Sequence, residues 1–326
     1  MSNTDSSGLI RLSSEALPKR DRLAAWRELY GRKFLRLEHV PLSDGSLRVN
    51  LALRPLPDLG IVKADLSPLR VGRTRELVTD GNDAVTFQIS STAGKASQLG
   101  REVAVAAGAA IGMSNADLGT FDFPLGAHVR ALSLSRRTLA TLVPYLDDML
   151  VREVPNETEA LWLLKEYLEI FDGAPALAAP DLIELAVTHV YDLAALSLGA
   201  TRDAAELASG RGVRAARLTA AKTFVRQHLH RQDLRAGAVA AHLRVTPRYV
   251  HVLFESDGVS FLEYVLAERL ALAHRILLTD RSRTISAIAL AVGFSDLSYF
   301  NRTFRRRFGR TPTDVRAEAR RGNKDG

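Results

Sequence analysis

Cysteine is absent from this 326-residue chain, so disulfide bonds and thiolate metal sites are excluded. Long apolar runs are absent as well. The longest weakly apolar stretch, Val103 to Met113, is far shorter than the roughly 20 residues that a membrane-spanning helix requires. The N-terminal segment contains no apolar core of signal-peptide length. Together these absences predict a soluble cytoplasmic protein with no membrane partner.

The distribution of charge along the chain is more informative than its total of +7. Arg211 to Gly326 carries 22 Lys and Arg against 10 Asp and Glu, whereas the preceding residues carry 22 against 27. A positive field confined to one part of a chain is what neutralisation of nucleic-acid phosphates requires. A merely solvated basic surface would give the same counts, so this interpretation needs the support of a motif.

The pattern of apolar residues divides the chain into segments of different predicted structure. Residues 1–20 are predicted to form a flexible polar tail, and Asp21 to Leu37 a helix. From Val40 to Leu142, short alternating stretches are broken by Gly, Pro, Asp and Asn, which predicts the strands and turns of a barrel or sandwich. Helical spacing returns in Glu157 to Phe171 and in Asp181 to Leu198.

These segments predict a domain organisation. A sensor domain covers residues 21–198 and ends in a helical dimerisation pair over about 145–198. Residues 199–212 form a linker, and residues 213–321 form a basic helical domain. The second helix of the pair has an apolar stripe that fits either ordinary core or a dimer seam. This stripe consists of Leu182, Leu185, His189, Leu193 and Leu196.

The basic part of the chain contains one structural pattern twice. The first copy runs from Ala238 to Phe254 and the second from Ala287 to Phe304. Each copy has a short apolar helix, a tight turn, a Ser or Thr that can cap the next helix, and a second helix that ends on Phe. This pattern is typical of a helix-turn-helix, whose second helix enters the major groove of DNA. Two copies in one chain predict two adjacent groove contacts.

The second helix of each copy has a predicted start and two predicted faces. Thr246 and Ser295 are positioned as N-caps. Apolar residues at helical spacing predict the inward faces: Val250, Leu253, Phe254, Phe300, Phe304 and Phe308. The opposite faces carry side chains that can contact bases or phosphates. These candidate DNA-binding residues are Arg248, His251, Val252, Leu297, Ser298, Asn301, Arg302, Arg305 and Arg306.

The segment between the two copies predicts a rigid spacer. Ser260 with Glu263 three residues later forms a capping box, and a helix of about 19 residues follows. At 1.5 Å per residue this helix is about 28 Å long. Two recognition helices on one face of B-DNA lie about 34 Å apart, so the spacer helix is about the right length to set that distance.

Two segments of the basic domain resemble a known family. Gly293 to Arg316 closely resembles the signature of the AraC/XylS family of bacterial transcription regulators, and Thr246 to Leu270 resembles the family's first helix-turn-helix and linker helix. The resemblance implies a seven-helix DNA-binding domain with base contacts at the motif positions Arg248, His251, Val252, Leu297, Ser298, Asn301 and Arg302.

The first helix-turn-helix departs from the family pattern in two places. Arg244 stands where many members have Gly in the turn. The first helix of this copy also lacks a Ser or Thr cap and carries Gly237, and Gly costs roughly 1 kcal/mol against Ala within a helix. The second copy keeps Gly293 in its turn.

The N-terminal part resembles a subgroup of the family in which a cupin-like β-domain precedes a helical pair. The matching features lie in Ala24 to Phe34, Gly72 to Thr74 and Gln98 to Gly108. Members resembling it include activators of catabolic genes that sense a small effector in the β-domain. The predicted fold class is α+β with two domains: a cupin-like β-barrel or sandwich with a helical pair, and an all-α double helix-turn-helix.

Three residues of the N-terminal part are candidates for contact with an effector. Arg73 and Arg101 are able to pair with the carboxylate of an acidic effector, and His128 is able to line a pocket. Each also has an ordinary structural interpretation: a salt bridge or exposed side chain for the arginines, and a packed residue for the histidine.

An enzyme on the same β-fold is the alternative from another functional class. A catalytic cupin holds its metal with clustered histidines and a carboxylate, but the β-region contains only His128, with His39 at its edge. His228 and His230 are two residues apart on a predicted helix and therefore lie on different faces. No zinc-protease motif, phosphate loop or nucleophile elbow occurs. The sequence thus predicts no catalytic residue, metal or cofactor.

The sequence as a whole predicts a sequence-specific transcription regulator. Its expected form is an effector-responsive activator of catabolic genes and a homodimer. Its expected partners are double-stranded promoter DNA, RNA polymerase and a small-molecule effector. A constitutive or protein-partner-controlled DNA binder stays open as the alternative, and an internal cavity lined by apolar side chains would favour the small-molecule interpretation.

Overall fold

A computed structural model describes residues 3–4, 8–43, 47–171, 179–200, 205–206, 209–280 and 282–321. The chain divides into two compact units, residues Met1–Ala216 and Arg217–Gly326. The first unit is rich in strands and the second is helical in its described part, as predicted. None of the helices in the described ranges combines the length and apolar character that a membrane crossing demands.

The first unit is an open sandwich of two antiparallel sheets. Its larger sheet has the strand order β1-β2-β4-β5-β12-β7-β10-β13, and its smaller sheet has the order β3-β6-β11-β8-β9. The described strands are β1 (Asn3–Thr4), β2 (Ile10–Ser13), β3 (Glu38–Pro41), β4 (Val49–Leu56), β5 (Leu59–Leu66), β6 (Leu69–Arg73), β7 (Val85–Ser90), β8 (Gly94–Gln98), β9 (Arg101–Val105), β10 (Ala110–Ser114), β11 (Gly119–Phe123), β12 (Ala127–Leu134) and β13 (Glu153–Val154).

The alternation of side chains along the strands gives the larger sheet two different faces. On β12, Val129 and Ala131 line the space between the sheets, whereas Leu132 and Leu134 belong to the core that the helices of this unit share. The register of β5 against β12 pairs residues of like orientation, for example Ala131 with Val62. The inter-sheet face is therefore the one that can enclose a cavity.

The predicted flexible tail over residues 1–20 is wrong for its second half. Ile10–Ser13 forms β2 and pairs with β4. Leu12 is buried, and the buried Ser14 hydroxyl donates to the Leu47 carbonyl and accepts from the Val49 amide. The polar residues around this strand hid its alternation, because β2 is short and only one of its faces is buried.

The helix predicted over Asp21 to Leu37 is present but irregular. Helix α1 (Arg22–Trp26) continues as a π-helix over Arg27–Leu35. Trp26 is fully buried at the centre of a core cluster with strands β2 and β4. Its ring lies 5.8 Å, edge to face, from the ring of His39 on β3. This segment therefore closes one end of the space between the sheets.

Four further helices complete the first unit in its described part: α2 (Arg136–Leu142), α3 (Leu146–Met149), α4 (Glu159–Leu168) and α5 (Pro180–Leu198). The predicted pair is α4 and α5, and α4 extends through a 3₁₀ turn over Glu169–Phe171. The helices cover part of the outer face of the larger sheet, where Arg130 of β12 binds Glu169 at 2.9 Å.

The apolar stripe of α5 is mostly core. His189 and Leu193 are buried, and the Tyr167 hydroxyl lies 2.8 Å from the His189 Nδ1 atom. Only Leu182 and Leu185, each 51% exposed, leave an apolar surface near the start of the helix. Most of the predicted dimer seam therefore stabilises the unit itself, and dimerisation stays a prediction.

The linker predicted over residues 199–212 ends in ordered structure. Ser209–Val213 forms a π-helix that precedes α6 (Arg214–Gln227). Within it the Arg211 guanidinium binds both carboxylate oxygens of Asp192 on α5, at 2.7 and 3.0 Å, and Asp192 is only 1% exposed. A buried carboxylate requires such a partner, so the linker is shorter than predicted. Residues 201–204 and 207–208 of it lie outside the described residues.

Helix α6 leads into the second unit, and six more helices follow in the described residues: α7 (Ala236–Leu243), α8 (Pro247–Glu255), α9 (Phe261–Thr279), α10 (Ile285–Ala291), α11 (Leu297–Phe308) and α12 (Pro312–Arg321). These seven helices agree with the number that the family resemblance implied. Helices α7 and α8 form the first helix-turn-helix, and α10 and α11 form the second.

The chain reverses between the helices of each helix-turn-helix through a left-handed residue. In the first it is Arg244, with φ 54°, and in the second it is Gly293, with φ 91°. A left-handed backbone is strained for a residue with a Cβ atom. Gly293 has a second reason to be Gly, since an added Cβ would lie 2.3 Å from the Leu229 carbonyl oxygen and 2.7 Å from Arg269 Nη2.

We expect Gly293→Ala to lower the free energy of unfolding by more than about 3 kcal/mol, because strain and overlap act together. Gly237→Ala is the matched control. Nothing lies within 4 Å of its added Cβ, and it sits in α7, so it should be neutral or stabilise by up to about 1 kcal/mol. Urea denaturation of the full chain measures both. Equal effects would contradict the close approach assigned to Gly293.

Candidate functional site

The first recognition helix, α8, presents the face predicted for it. Its inward residues Val250, Leu253 and Phe254 are fully buried. The Phe254 ring packs edge to face on Phe261 at 5.4 Å, which ties α8 to the start of α9. The opposite side chains are exposed: Arg248, His251 and Val252. They are spaced three and four residues apart and therefore share one face.

The second recognition helix, α11, is three residues longer than α8 and is held by an aromatic stripe. Phe300 and Phe304 are fully buried and Phe308 is partly buried. The His274 ring of α9 stacks on Phe308 at 4.6 Å. All the predicted contact residues on the other side are exposed: Leu297, Ser298, Asn301, Arg302, Arg305 and Arg306.

The N-cap predicted for α11 is one residue off. Asp296, not Ser295, accepts the amide protons of Ser298 and Tyr299, at 2.7 and 3.0 Å. These two hydrogen bonds lower the pKa of Asp296. Both residue types are strong N-caps, so composition alone did not decide between neighbours. In α8 the predicted cap is correct, because Thr246 Oγ1 accepts from the Tyr249 amide at 3.2 Å.

The arginines on the two recognition faces are available to an outside partner. No ion pair or side-chain hydrogen bond joins Arg248, Arg302, Arg305 or Arg306 to any other residue of the described ranges. Cationic groups of this kind can bind phosphates and the edges of guanine. Some other basic residues of the second unit are paired, as Lys222 is with Asp257 at 2.6 Å.

Helix α9 joins the two helix-turn-helix units as the predicted spacer. It has 19 residues and begins with a complete capping box between Ser260 and Glu263. Its residues Leu270, Ala273 and Leu277 lie in the same buried cluster as Phe300 and Phe304. One continuous helix thus packs on both recognition helices, which fixes their spacing.

The first unit contains a second candidate site, a cavity of about 280 Å³ between the sheets. Its wall on β4 and β5 is apolar: Val49, Leu51, Leu53, Val62, Ala64 and Leu66. Its polar groups lie on and around β7: Thr86, Gln88, Asn115 and Ser133. Thr86 donates to the Asn115 side-chain oxygen at 2.8 Å and faces Ser133 across the strand pair.

Two polar side chains of this cavity each have one buried nitrogen without a hydrogen-bond partner. The Gln88 Nε2 atom and the His39 Nδ1 atom are both buried without a hydrogen bond in the structure. An unpaired buried donor or acceptor costs about 1–3 kcal/mol. Gln98 shows the usual arrangement, because its amide bonds to Ser114 with both nitrogen and oxygen, at 2.7 and 2.8 Å.

Of the three residues predicted to contact an effector, only Arg73 lines this cavity, and its guanidinium is occupied. Arg73 is 7% exposed and makes a two-point ion pair with Asp80 at 2.7 and 3.0 Å. It also donates to the carbonyls of Asn115 and Arg36. The hydrogen bonds from Arg73 hold the pKa of Asp80 at about 2. The salt-bridge interpretation of Arg73 is therefore the one that the structure supports.

The other two predicted residues lie elsewhere in the first unit. Arg101 donates to the carbonyl oxygens of Asp148 and Leu150, at 3.3 and 2.8 Å, and so joins strand β9 to the C-terminal end of α3. His128 is exposed on the outer face of the larger sheet, where it contacts Asp65. Neither residue is among those that line the cavity.

Sequence reasoning missed the polar residues that do line the cavity, although one signal was present. In β7, Thr86 and Gln88 alternate with the buried Val85, Phe87 and Ile89. Alternate positions of a strand share one face. Polar residues at alternate positions of a strand whose other face is fully apolar therefore indicate a polar space between sheets. His39 and Asn115 join this group only through the fold.

Comparison with known proteins adds to this geometry. Residues 239–318 match a helix-turn-helix domain family. The chain is 45% identical over 101 residues to the transcriptional activator RhrA of Rhizobium meliloti, covering 31% of this chain and 32% of the relative. It is 34% identical over 101 residues to the transcriptional activator NphR of a Rhodococcus species, covering 31% and 30%. The match spans about a third of the length of these relatives.

The fold extends the likeness over most of the chain. The crystal structure of the AraC-like transcriptional activator CuxR covers 82% of this chain and 96% of its own, with a TM-score of 0.51 and 16% identity. The chain therefore shares the fold of that structure, with a strand-rich unit followed by a helical unit. Its C-terminal unit is an AraC-type helix-turn-helix domain, as the sequence predicted for that part of the chain. The relatives that match over this domain are named as transcriptional activators and not as enzymes.

The cap of α11 gives a direct test of the second recognition helix. Asp296→Ala should lower the midpoint of thermal unfolding by about 2–5 °C, because two amide donors lose their acceptor. Ser295→Ala is the matched control and should leave the midpoint unchanged. Differential scanning calorimetry of the full chain compares them. A larger decrease of the midpoint in Ser295→Ala would identify Ser295 as the N-cap of α11, as the sequence predicted.

Buried His39 predicts a pH dependence of stability. Its pKa falls from 6.5 to about 4, chiefly because burial penalises the charged ring. The unfolded chain binds a proton between these values and the folded chain does not. The stabilisation is therefore fully present above pH 6.5 and is lost as the pH falls through 4.

Between pH 7 and pH 4 we expect the wild type to lose about 3 kcal/mol more stability than His39→Gln, which has no group titrating there. Urea denaturation at a series of pH values measures the two slopes. Identical slopes would mean that His39 is accessible to protons in the folded chain.

Proposed function

We propose that this chain is a sequence-specific DNA-binding transcription activator. The observation that carries the proposal is the pair of exposed recognition faces on α8 and α11, whose arginines bind no other described residue. The basic charge of this unit supports it, because phosphate neutralisation supplies much of the affinity for DNA. The names of the relatives, transcriptional activators that match over this domain, agree with it.

The residues of the two faces have different proposed roles. Asn301 and Arg302 contact base edges, since Asn pairs with adenine and Arg with guanine through two hydrogen bonds. Arg305 and Arg306 bind phosphate, because they lie toward the C-terminal end of α11, as do flanking cations in such interfaces. On α8, Arg248, His251 and Val252 contact the neighbouring groove.

The proposed regulator responds to a small effector bound between the sheets of the first unit and acts on RNA polymerase at its promoters. The cavity of about 280 Å³, with an apolar wall and a few convergent polar groups, supports a small molecule over a protein partner as the controlling ligand. Effector control requires that the ligand bind one state of the protein more tightly than the other.

A mobility shift tests DNA binding directly. The purified protein is incubated with the intergenic DNA beside its own gene, at fixed salt, with excess unrelated competitor. A shift that survives the competitor supports sequence-specific binding and supplies an operator. The same assay is repeated with DNA fragments selected from the whole genome. If the competitor abolishes binding to both DNA samples, the proposal is contradicted.

Three matched arginine variants separate the proposed roles on α11. Arg302→Ala should weaken operator binding by roughly 5- to 150-fold and relax the preference at one base pair. Arg305→Ala should weaken binding to all sequences and lower the dependence on salt by about one counterion. Arg307→Ala removes the same charge on the side away from the recognition face and should change neither base preference nor the ranking of sequences. These outcomes are measured by titration against operator and single-base variants.

Unchanged affinity and base preference in Arg302→Ala would show that the contact face of α11 is placed wrongly. If Arg307→Ala lost as much operator affinity as Arg302→Ala, the effect would come from the loss of positive charge and not from a specific base contact.

A further inference from the structure

The cavity of the first unit has a chemical character that restricts its ligand. Of the side chains that line it, only Arg73 carries a formal charge, because His39 is held neutral by burial. Four N–H groups of Arg73 already donate, to Asp80, Arg36 and Asn115. The charge of Arg73 is balanced by the Asp80 carboxylate.

A ligand carboxylate or phosphate would find no matching group in this cavity. The anion would lose its hydration and would find no unpaired cationic side chain to bind, so its burial would be strongly unfavourable. Arginine binds carboxylates through two parallel hydrogen bonds, and Arg73 already makes both of them to Asp80. A ligand cation has no partner either, because no Asp or Glu is among the residues that line the cavity.

The polar groups instead suit a neutral acceptor. The Gln88 Nε2 atom is buried without a partner, on the inter-sheet face of β7, opposite Ala131 of β12. A second space of about 80 Å³ adjoins it and shares Thr86, Gln88 and Asn115. A carbonyl or hydroxyl oxygen placed here would accept the hydrogen bond that Gln88 is unable to make within the chain.

The rest of the cavity defines the other end of the ligand. From β7 toward β4 the wall changes from amides and hydroxyls to Val, Leu and Ala side chains. The volume of about 280 Å³ is at the lower end of the roughly 300–1,000 Å³ found for drug-sized ligands. A single ring with short apolar substituents is of suitable size.

We infer that the first unit binds a small, uncharged, amphiphilic molecule whose oxygen accepts a hydrogen bond from Gln88 and whose apolar part lies against β4 and β5. This inference rests on the proposed function, since it names the effector class of that regulator. It replaces the acidic effector that Arg73 and Arg101 suggested in the sequence. Its selectivity comes from the closed Arg73–Asp80 pair, which leaves the site polar and uncharged.

The test uses a panel of single-ring compounds in matched sets of three. Within a set the ring and its apolar substituent stay the same, and the polar group is an amide, a carboxylate or an aminomethyl cation. One such set is 4-ethylbenzamide, 4-ethylbenzoate and 4-ethylbenzylammonium. Binding to the full chain is measured by isothermal titration calorimetry. We expect binding by neutral members only, with at least a tenfold preference over both charged forms. Tighter binding by the carboxylates, or no binding by any neutral member, would overturn the inference.

Two variants locate the site. Gln88→Met keeps the volume and removes the donor, so a neutral binder should lose about tenfold in affinity. Ala131→Phe fills the cavity and should abolish binding, whereas Ala52→Phe, on the outer face of β4, is its matched control and should bind as the wild type does. Undiminished binding in both Gln88→Met and Ala131→Phe would place the ligand elsewhere and overturn the inference.

Failure of this inference is separable from failure of the proposed function. The same protein preparations are assayed for operator binding without ligand. Protein that shifts the operator but binds only charged compounds retains the proposed DNA-binding function and loses the assigned ligand class. Protein that binds neutral compounds but no operator retains the ligand class as a binding property and loses the proposed regulator.

Discussion

Burial of phenylalanine rings beneath the recognition helices is the interaction on which the second unit depends. Phe254 fixes α8 on α9, and Phe300 and Phe304 fix α11 on the same helix. Removing a buried Phe ring from such a core costs about 3–5 kcal/mol. Because each recognition helix has only one apolar stripe, burying that stripe determines which side chains face outward. The positions of the arginines follow from the positions of the phenylalanines.

The turn between the helices of each pair is the second constraint. A left-handed residue is required to bring the second helix back across the first, and the chain meets this need in two ways. Gly293 meets it without strain, and the space beside it admits no Cβ atom. Arg244 meets it with strain, in a unit whose first helix also lacks a side-chain cap. The two halves of the domain are thus built alike but are not equally stabilised.

Much of the second unit could be predicted from the sequence because its signals are local. Thr246, Ser260 and the spacing of the phenylalanines each act within one helical turn, and the sequence displays them directly. The error at Asp296 is also local: two adjacent residues can both cap a helix, and only the packing of the aromatic stripe decides where α11 begins.

The candidate cavity could not be predicted in the same way. Strand alternation predicted a barrel or sandwich, but not the register that brings His39, Gln88 and Asn115 to one space. Arg73 was found by its type, yet its role depended on Asp80, which follows a turn. Ile10–Ser13 was missed because a short edge-side strand carries too little alternation. Long-range pairing, which no single segment encodes, decides each of these cases.

The two units suit two different kinds of partner. The second offers unpaired cations on two helical faces, which is the chemistry of a polyanion such as DNA. The first offers a cavity between its sheets whose one charged lining residue, Arg73, is paired with Asp80. The proposed regulator requires one surface that binds its target and one site that senses a signal, and this division of charge agrees with that proposal.

The central claim is that α8 and α11 contact DNA together, one helical turn apart. Hydroxyl-radical footprinting on the operator measures it most directly, with the operator compared to a copy that carries five inserted base pairs between the two contacts. Two protected stretches about 10 base pairs apart, and loss of one of them after the insertion, are the predicted result. A single protected stretch that the insertion leaves unchanged would contradict the claim.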